Sequence, residues 1–457
     1  MAIELSNLTF TDEADIVPES GVEQIVNTGI ANTLAGDDKI TGTGGTYSIY
    51  NSGTLNTADG NDVIMGVSNS QEENTLYSYG ILNRYGSTLN TGDGKDIIIG
   101  VGYGPNDYSI DGIFNQGIIN TGEDDDIITG THSYSGINNN NFGIIDTGNG
   151  SDTITGTGSS FGIQNYSTFN TSDGNDKIIG NANFSGYGIV NNSGTMDSGA
   201  GDDEITGTSA NYSGIYNFSG TIDTGDGNDK IIGTGGTNGI NNTSSGIENN
   251  SFGIINTGNG SDTITGTGSS FGILNFSIFN TGDGNDKIIG NANFYGYGII
   301  NNSGTMDTGA GDDEITGTNA NYSGIYNFSG TIDTGDGNDK IIGTGGTNGI
   351  DNTGIIKTGN GSDSIIANGG FNGTGSVLLG NGKDYLKGFG SGIFNGGNGQ
   401  DTLELTSGSY TVGRSGTKVN FIKNSIIMNT SEFEKLIAGS TTYNFTSLTN
   451  GQTIFVA

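Results

Sequence analysis

One ten-residue phrase, Thr-Gly-x-Gly-x-Asp-x-Ile-x-Gly, returns with small variations along most of this chain. Clear copies occupy residues 91–100, 147–156 and 224–233, and a second phrase, Gly-Ile-x-Asn, separates successive copies. Residues 141 to about 239 recur almost word for word from residue 251 to about 349. Because each repeat of a stacked protein contacts only its neighbours, an open-ended stack tolerates such a duplication of whole repeats. The repeats therefore predict a solenoid.

Within each repeat the key residues alternate with period two, and β-branched Ile and Thr are abundant, which is typical of strands. Gly, Asn and Asp stand at every corner, where they supply turn conformations. Hydrophobic residues make up only 31% of the chain, so we expect a narrow core to which each main strand phrase contributes one Ile. We predict an all-β fold: a parallel, right-handed β-solenoid of about 15 roughly three-sided coils, with two or three short strands in each.

The ends of the chain lack the repeat. Residues 1–24 alternate and are acidic, which predicts an N-terminal strand and cap, while residues 25–405 form the repeat region. Residues 406–457 predict a β-rich C-terminal cap, with a short helical turn at 431–436. Caps are needed because open strand edges otherwise pair with other chains.

A fixed aspartate closes every loop. The loop glycines allow backbone carbonyl oxygens to turn toward a common centre, and the aspartate adds a carboxylate. Ca²⁺ accepts six to eight such oxygens at about 2.3–2.6 Å, whereas one His and no Cys give a transition metal little support. The predicted calcium ligands are Asp38, Asp62, Asp96, Asp126, Asp152, Asp176, Asp203, Asp229, Asp262, Asp286, Asp313, Asp339, Asp363, Asp384 and Asp401.

The charge balance favours cations as partners. Asp and Glu number 49 against 14 Lys and Arg, so the net charge is -35. Nucleic acid and anionic membranes are disfavoured because their phosphates need clustered basic residues. Stacked bare carboxylates would repel one another, and about fourteen Ca²⁺ ions, one per gap between loops, would leave a net charge of about -7. The alternative is that these are plain Gly/Asn/Asp turns without metal, and the irregular loops before Asp38 and Asp126 are the weakest matches.

The loops resemble the Gly-Gly-x-Gly-x-Asp-x-U-x nonapeptide (U apolar) of the RTX, or repeats-in-toxin, family. The best matches are residues 379–386 and 396–403, and the resemblance covers residues 35 to about 405. It implies a parallel β-roll that folds on Ca²⁺ and an extracellular protein exported by type I secretion, with an uncleaved C-terminal signal at 407–457. In most loops Thr replaces the first Gly, and the loop occurs once per coil, so we expect Ca²⁺ along one edge only.

The other repeated residues predict structure and surfaces. The Asn of Gly-Ile-x-Asn should face inward and stack as a ladder, and the predicted members are Asn51, Asn83, Asn115, Asn139, Asn165, Asn191, Asn217, Asn242, Asn275, Asn301, Asn327 and Asn352. An outward stripe suggests a contact surface for a protein or for sugar rings, and its members are Tyr50, Leu82, Phe114, Gln164, Val190, Tyr216, Ile300 and Tyr326. Outward Thr pairs such as Thr153 and Thr155 suggest ice binding, but we expect the neighbouring Lys177, Lys230, Lys287 and Lys340 to interrupt that array.

No catalytic constellation stands out, so we expect no enzyme activity. His132, the sole histidine, is predicted to lie in a solvent-exposed loop, and the Asp202–Asp203 and Asp312–Asp313 pairs belong to the repeats. The leading hypothesis is a secreted, calcium-binding structural protein of an extracellular matrix, surface layer or filament, which associates end to end. The alternative is a carbohydrate- or ice-binding adhesin module that uses a flat solenoid face, and a polysaccharide-degrading enzyme is a third. A cell-surface polysaccharide is a further expected partner, and membrane insertion is not expected.

Overall fold

The computed structural model describes residues 2–18, 23–68, 78–103, 110–243 and 253–457. Contacts divide the chain into two compact units, the first being Met1–Gly236 with Ser244–Ile254 and the second Thr237–Thr243 with Ile255–Ala457. Within the described ranges there are strands and two 3-10 turns, Leu5–Asn7 and Phe445–Ser447, but no α-helix. The all-β, parallel-stranded solenoid predicted from the repeats is confirmed.

Each coil contributes one strand to each of three parallel sheets, A, C and B in chain order, and the Asp loop lies between the strands of sheets C and B. Sheet A carries Gly-Ile-x-Asn. Its strands in the first unit are Ala2–Glu4, Gln24–Asn27, Tyr47–Asn51, Ser78–Asn83, Ile110–Asn115, Ser135–Asn139, Phe161–Asn165, Tyr187–Asn192 and Ile215–Phe218. In the second unit they are Asn238–Thr243, Phe271–Asn275, Tyr297–Asn302, Ile325–Phe328, Ile350–Asn352 and Phe371–Asn372. Nine and six described strands agree with the predicted number of about 15 coils.

Sheet C consists of short strands that precede the Asp loops. In the first unit they are Ile30–Asn32, Thr54–Asn56, Thr88–Asn90, Ile118–Asn120, Ile144–Asp146, Thr168–Asn170, Thr195–Asp197 and Thr221–Asp223. Ile254–Asn256 lies at the boundary, and the second unit adds Ile278–Asn280, Thr305–Asp307, Thr331–Asp333, Ile355–Lys357, Ser376–Leu378 and Gly392–Asn395. Each three-residue strand buries its middle residue, for example Leu55, which is 0% exposed, and Gly392–Asn395 buries Phe394.

Sheet B consists of the strands that follow the Asp loops. In the first unit they are Ile16–Val17, Lys39–Thr43, Val63–Val67, Ile97–Val101, Ile127–Thr131, Thr153–Gly158, Lys177–Ala182, Glu204–Ser209 and Lys230–Gly235. In the second unit they are Thr263–Gly268, Lys287–Ala292, Glu314–Asn319, Lys340–Gly345, Ser364–Asn368, Tyr385–Lys387 and Thr402–Leu405. A small fourth sheet pairs Asn360–Gly361, Asn381–Gly382 and Asn398–Gly399. These last strands lie within the Asp loops themselves.

The core is three columns of apolar side chains, one from each sheet. In one coil Ile49, Leu55 and Ile64 point inward and are at most 1% exposed. Gly66, two residues after Ile64, packs against sheet A so closely that a Cβ there would lie 2.1 Å from the carbonyl oxygen of Gly80. The repeated glycine therefore brings two sheets together, and one Ile per strand fills the narrow interior.

The predicted asparagine ladder is confirmed for the residues whose side chains are described. The Nδ2 of Asn191 donates to Oδ1 of Asn217 at 2.9 Å and to the carbonyl oxygen of Thr221 at 2.8 Å. The same Asn-to-Asn bond, 2.8–3.0 Å long, runs from Asn27, a member that the sequence prediction missed, to Asn217 and from Asn275 to Asn352. The side chain of Asn242 lies outside the described residues. Buried amides thus bind coil to coil and sheet A to sheet C.

The C-terminal segment differs from the repeats, whereas Ala2–Glu4 and Ile16–Val17 pair in parallel in sheets A and B as the repeats do. Gly408–Ser415, Lys418–Lys423, Ile426–Ser431 and Thr453–Val456 form antiparallel pairs, and Lys435–Ala438 pairs with Thr402–Leu405 and with Thr441–Asn444. The predicted helical turn at 431–436 is wrong: Leu436 is fully buried in a strand that continues sheet B. The boundaries 1–24, 25–405 and 406–457 stay predictions. The described part of the chain holds no helix with the length and apolar character needed to cross a bilayer.

Candidate metal centre

The fifteen fixed aspartates lie inside the coils. Asp203 directly precedes the strand Glu204–Ser209, so its side chain shares the inward direction of Ile205 two residues later. Asp203 is 2% exposed, and none of the other fourteen exceeds that value. The repeat therefore buries a carboxylate in every coil at the exit of the loop.

Within each unit, one hydrogen bond joins each aspartate to the aspartate of the next coil. The backbone N–H of Asp152 donates to Oδ1 of Asp176, and the N–H of Asp176 donates to Oδ1 of Asp203, both at 2.8 Å. The same bond, 2.7–3.0 Å long, links neighbours from Asp38 to Asp229 in the first unit and from Asp262 to Asp401 in the second. Each carboxylate thus anchors the adjacent coil through one of its two oxygens.

The second oxygen is the unusual one. In the thirteen members other than Asp229 and Asp262, Oδ2 is buried and accepts no hydrogen bond within 3.5 Å. Burial disfavours the charged carboxylate and raises the pKa of Asp203 to about 6, that of Asp96 to about 7 and that of Asp126 to about 8. The hydroxyl five residues earlier, Ser198 for Asp203 and Thr91 for Asp96, lies near enough to oppose the rise in the carboxyl pKa. A buried carboxylate oxygen of this kind needs a proton or a cation as its partner.

Backbone oxygens are also packed closely at these loops. The carbonyl oxygen of Gly201 faces the next coil, where a Cβ on Gly227 would lie only 1.7 Å from it. Gly227 has φ +156, and the N–H of Gly201 donates to the backbone carbonyl oxygen of Asp226. The second loop glycine therefore allows two backbones to approach closely, which brings a carbonyl oxygen to the contact between neighbouring loops.

The two irregular loops keep the hydrogen bonds of the column. Asp124 replaces the second glycine before Asp126 and adopts φ 81, whereas the glycine at this position in most other coils has a larger φ, such as +156 at Gly227. Asp124 still donates its N–H to the carbonyl oxygen of Asn149 at 2.9 Å, as the glycines do to the adjacent coil. Leu34 takes the place of the first glycine before Asp38 with φ 69. Asp38 and Asp126 accordingly occupy the same column as the regular members.

Within the described ranges, no group of three or more His, Asp or Glu side chains converges on one point. The carboxylates are brought together one after another, and any ion among them would depend on backbone oxygens as well. The donor set fits a hard cation, because it consists of buried oxygen atoms and in thirteen coils includes a carboxylate oxygen without a partner. The assignment of the fifteen aspartates as calcium ligands stays a prediction.

Sequence reasoning missed both ends of the column. The N–H of Asp15 donates to Oδ1 of Asp38 at 2.7 Å, and Oε2 of Glu434 accepts the N–H of Asp401 at 2.8 Å. Asp15 and Glu434 each precede an inward apolar residue by two positions, Val17 and Leu436. An acidic residue followed two positions later by an apolar one was the available signal, although neither segment has the glycines of the repeat.

The prediction that His132 lies in a solvent-exposed loop is wrong. Its side chain is 5% exposed, and its Nδ1 accepts the N–H of Tyr134 at 3.0 Å. Gly102 makes the space, since a Cβ there would lie 1.9 Å from the imidazole Cδ2. Burial lowers the pKa of His132 to about 4, so the ring is neutral at physiological pH.

No protein-family profile matches the sequence. No curated protein matches it either. A solved structure that it resembles is described as a hyperactive, Ca²⁺-dependent, β-helical antifreeze protein from an Antarctic bacterium, with 17% identity and a TM-score of 0.37 over 97% of this chain and 93% of the other. At that identity and score, the likeness identifies neither a family nor a ligand for this chain.

Proposed function

We propose that this chain is a calcium-stabilised β-solenoid that serves as a non-enzymatic structural component outside the cell. The observation that carries the proposal is the set of thirteen buried carboxylates, all members of the column except Asp229 and Asp262, whose Oδ2 atoms accept no hydrogen bond within 3.5 Å. At neutral pH a large share of these groups is ionised, and an isolated charge inside a fold is strongly destabilising. A bound cation removes that cost in every coil.

Calcium is the cation that suits these loops. Asp203 and its counterparts would hold it through Oδ2, with carbonyl oxygens of loop residues such as Gly201 completing an oxygen-only shell. When bound, the ion supplies positive charge that neutralises the column and free energy that favours the folded coil. The Oδ1 atoms keep their bonds to the adjacent coil, so ion binding and coil stacking reinforce each other.

The resemblance to RTX loops supports export by type I secretion without a cleaved N-terminal signal. A chain that is largely unfolded at the low free calcium inside a cell and folds on calcium outside suits that route. Association through the ends is part of the proposal. Among the described residues, Ala2–Glu4 pairs only with Gln24–Asn27, and Thr441–Asn444 pairs only with Lys435–Ala438, so each has a free edge.

A calcium titration followed by far-UV circular dichroism tests calcium-driven folding. The strand signal should be weak in chelator at neutral pH and should rise with Ca²⁺ but not with equal Mg²⁺, which demands a tighter shell. A complete strand signal in chelator would contradict the proposal. Light scattering of the calcium-loaded protein at rising concentration tests end association separately, and a constant monomer mass would refute that part.

A second candidate, binding to ice through sheet B, is favoured by the strand register. Thr155 pairs with Ile179 and then Thr206, while Thr157 pairs with Asn181 and then Thr208. These two outward rows contain no charged residue from Lys39–Thr43 to Lys230–Gly235 in the first unit. The expected interruption by lysine is confined to a third row at the loop edge, where Lys177 pairs with Thr153 and Glu204.

Two substitutions on the same strand separate this candidate from a plain structural face. Thr155→Tyr places a large ring in the uncharged rows, whereas Thr153→Tyr places it in the lysine row, and both residues are half-buried. If sheet B binds ice, the protein lowers the freezing point below the melting point, and only Thr155→Tyr abolishes the effect. No freezing-point gap in the calcium-loaded wild type would remove the candidate.

A further inference from the structure

Aromatic rings form an ordered row on the outer side of sheet A and at its corner. In the second unit, Tyr297 stacks on Tyr326 with centroids 4.8 Å apart, and Tyr326 continues to Phe328 at 5.8 Å. The predicted outward stripe is partly wrong: Leu82, Gln164, Val190 and Ile300 are 5–8% exposed and therefore buried. The accessible rings belong to the corner instead.

That corner, which we call the aromatic corner, consists of Phe294, Tyr295, Asn321 and Tyr322. The three rings are 59%, 63% and 40% exposed, and together with Asn321 they line an open cleft of about 480 Å³. Tyr322 lies 6.1 Å from Tyr297, so the cleft adjoins the row on sheet A. Exposed rings arranged in a row mark a binding surface rather than scattered apolar residues.

Hydrogen bonds hold the aromatic corner in place before any partner arrives. Asn321 Nδ2 donates to the carbonyl oxygen of Phe294 at 2.7 Å and so joins two coils. Asn319, 1% exposed, accepts the N–H groups of Asn321 and Tyr322 at 2.7 and 2.8 Å. A corner fixed in this way loses little conformational freedom when it binds a ligand.

The first unit carries the same corner with two natural differences. One is Ser209 in place of Asn319, and the Ser209 hydroxyl accepts the N–H of Tyr212 at 3.0 Å. Phe184 and Tyr212, 72% and 49% exposed, match Phe294 and Tyr322, and Asn211 Nδ2 again donates to the carbonyl oxygen of Phe184. Ser185 stands where the second unit has Tyr295. The chain thus offers two versions of one site, which suits a ligand that repeats along its own length.

We infer that the aromatic corner binds a neutral polysaccharide. Pyranose rings present C–H faces that pack on aromatic rings, and their hydroxyls can bond to tyrosine hydroxyls and to an amide such as that of Asn321. An anionic chain is disfavoured, because the whole chain carries a net charge of -35 and Asp351 lies close to the aromatic row. Burial first, and the nearby charge of Asp351 after it, raise the pKa of Tyr326 and Tyr297. This inference gives the polysaccharide partner expected from the sequence a defined site, and it rests on the proposed function only in requiring folded coils.

Native affinity electrophoresis of the calcium-loaded protein tests this site with three neutral polymers: hydroxyethylcellulose, xyloglucan and galactomannan. At least one should retard the wild type, while dextran sulfate should not. Tyr295→Ser, which copies the first unit, should weaken retardation several-fold, and Tyr295→Ala with Tyr322→Ala should weaken it roughly tenfold. Ser185→Tyr should strengthen it.

The matched control removes two rings elsewhere that are more exposed than Tyr295 and Tyr322. Tyr85 and Phe142 are 72% and 66% exposed and 5.2 Å apart, and Tyr85→Ala with Phe142→Ala should leave retardation unchanged. The inference is overturned if no neutral polymer retards the folded protein, if dextran sulfate retards it equally, or if the corner variants change only its self-association. Circular dichroism of each variant in calcium shows whether folding, and hence the proposed function, has failed instead.

Discussion

Replacing one buried aspartate by asparagine should have opposite effects on stability without and with calcium. Asp203→Asn keeps the shape of the side chain and an oxygen to accept the N–H of Asp176, but it removes the charge. Burial raises the pKa of Asp203 from 3.8 to about 6. One pKa unit corresponds to about 1.36 kcal/mol, so this rise in pKa corresponds to a cost of at most ~3 kcal/mol for ionising the carboxyl in the fold. Solvent screening at the loop lowers the cost, and the expected range is ~1–3 kcal/mol.

In chelator near neutral pH, above the pKa of this carboxyl, Asp203→Asn should therefore stabilise the folded state by ~1–3 kcal/mol. In saturating Ca²⁺ the variant has lost a charged ligand, and it should be less stable than the wild type by a similar amount. Thermal denaturation followed by circular dichroism measures the difference in calcium. In chelator, where the wild type is largely unfolded, the strand signal that remains measures the other difference.

The control is the preceding residue. Asp202 is exposed, and its Oδ1 accepts the N–H and Nδ2 of Asn228, both at 2.9 Å. Asp202→Asn should change the denaturation midpoint in calcium and the remaining strand signal in chelator in the same direction. Two results would refute the reasoning: an Asp203→Asn variant that is destabilised in chelator as much as in calcium, or one that matches Asp202→Asn under both conditions. Asp313 and Asp312 provide the same pair in the second unit.

Three further predictions concern stability, and thermal denaturation measures each. Asn191→Ala should cost about 3 kcal/mol, because it leaves buried groups of the adjacent coils without partners, and a loss below about 1 kcal/mol would contradict the ladder's role. Gly174→Ala should cost several kcal/mol, since its Cβ would lie 1.5 Å from the carbonyl oxygen of Gly150; a silent substitution would mean that the loops can separate. Asp111, 2% exposed, has its pKa raised to about 7 by burial, so the folded state holds its proton more tightly than the unfolded chain. Its contribution to stability should fall as the pH rises from about 4 to about 7, and Asp111→Asn should remove that part of the pH dependence.

The fold follows from the sequence because the same short-range rules act in every coil. Ile and Asn two residues apart must share a face, which places Ile189 and Asn191 inside together, and in-register stacking then makes the asparagine ladder unavoidable. The depth of the aspartates follows from the same parity, since Asp203 shares the side of Ile205. These features need no knowledge of distant contacts.

The features that sequence reasoning missed depend on packing between coils. His132 is buried because Gly102, in the preceding coil, leaves room for its ring. Glu434 joins the carboxylate column because the cap strand Lys435–Ala438 pairs with Thr402–Leu405. The strand register is needed to show that the lysines of sheet B lie in one row, because Lys177 pairs with Thr153 and not with Thr155.

The carboxylate column joins neighbouring coils by the same hydrogen bond along each unit. Each interior coil presents an aspartate N–H to one side and an Oδ1 to the other, so any coil can follow any other without a new kind of contact. At the two ends of the column, Asp15 donates its N–H to Asp38, and Glu434 accepts the N–H of Asp401. Within each unit, copying or deleting a whole coil keeps the same aspartate hydrogen bond between neighbouring coils, so the number of coils can change in steps of one.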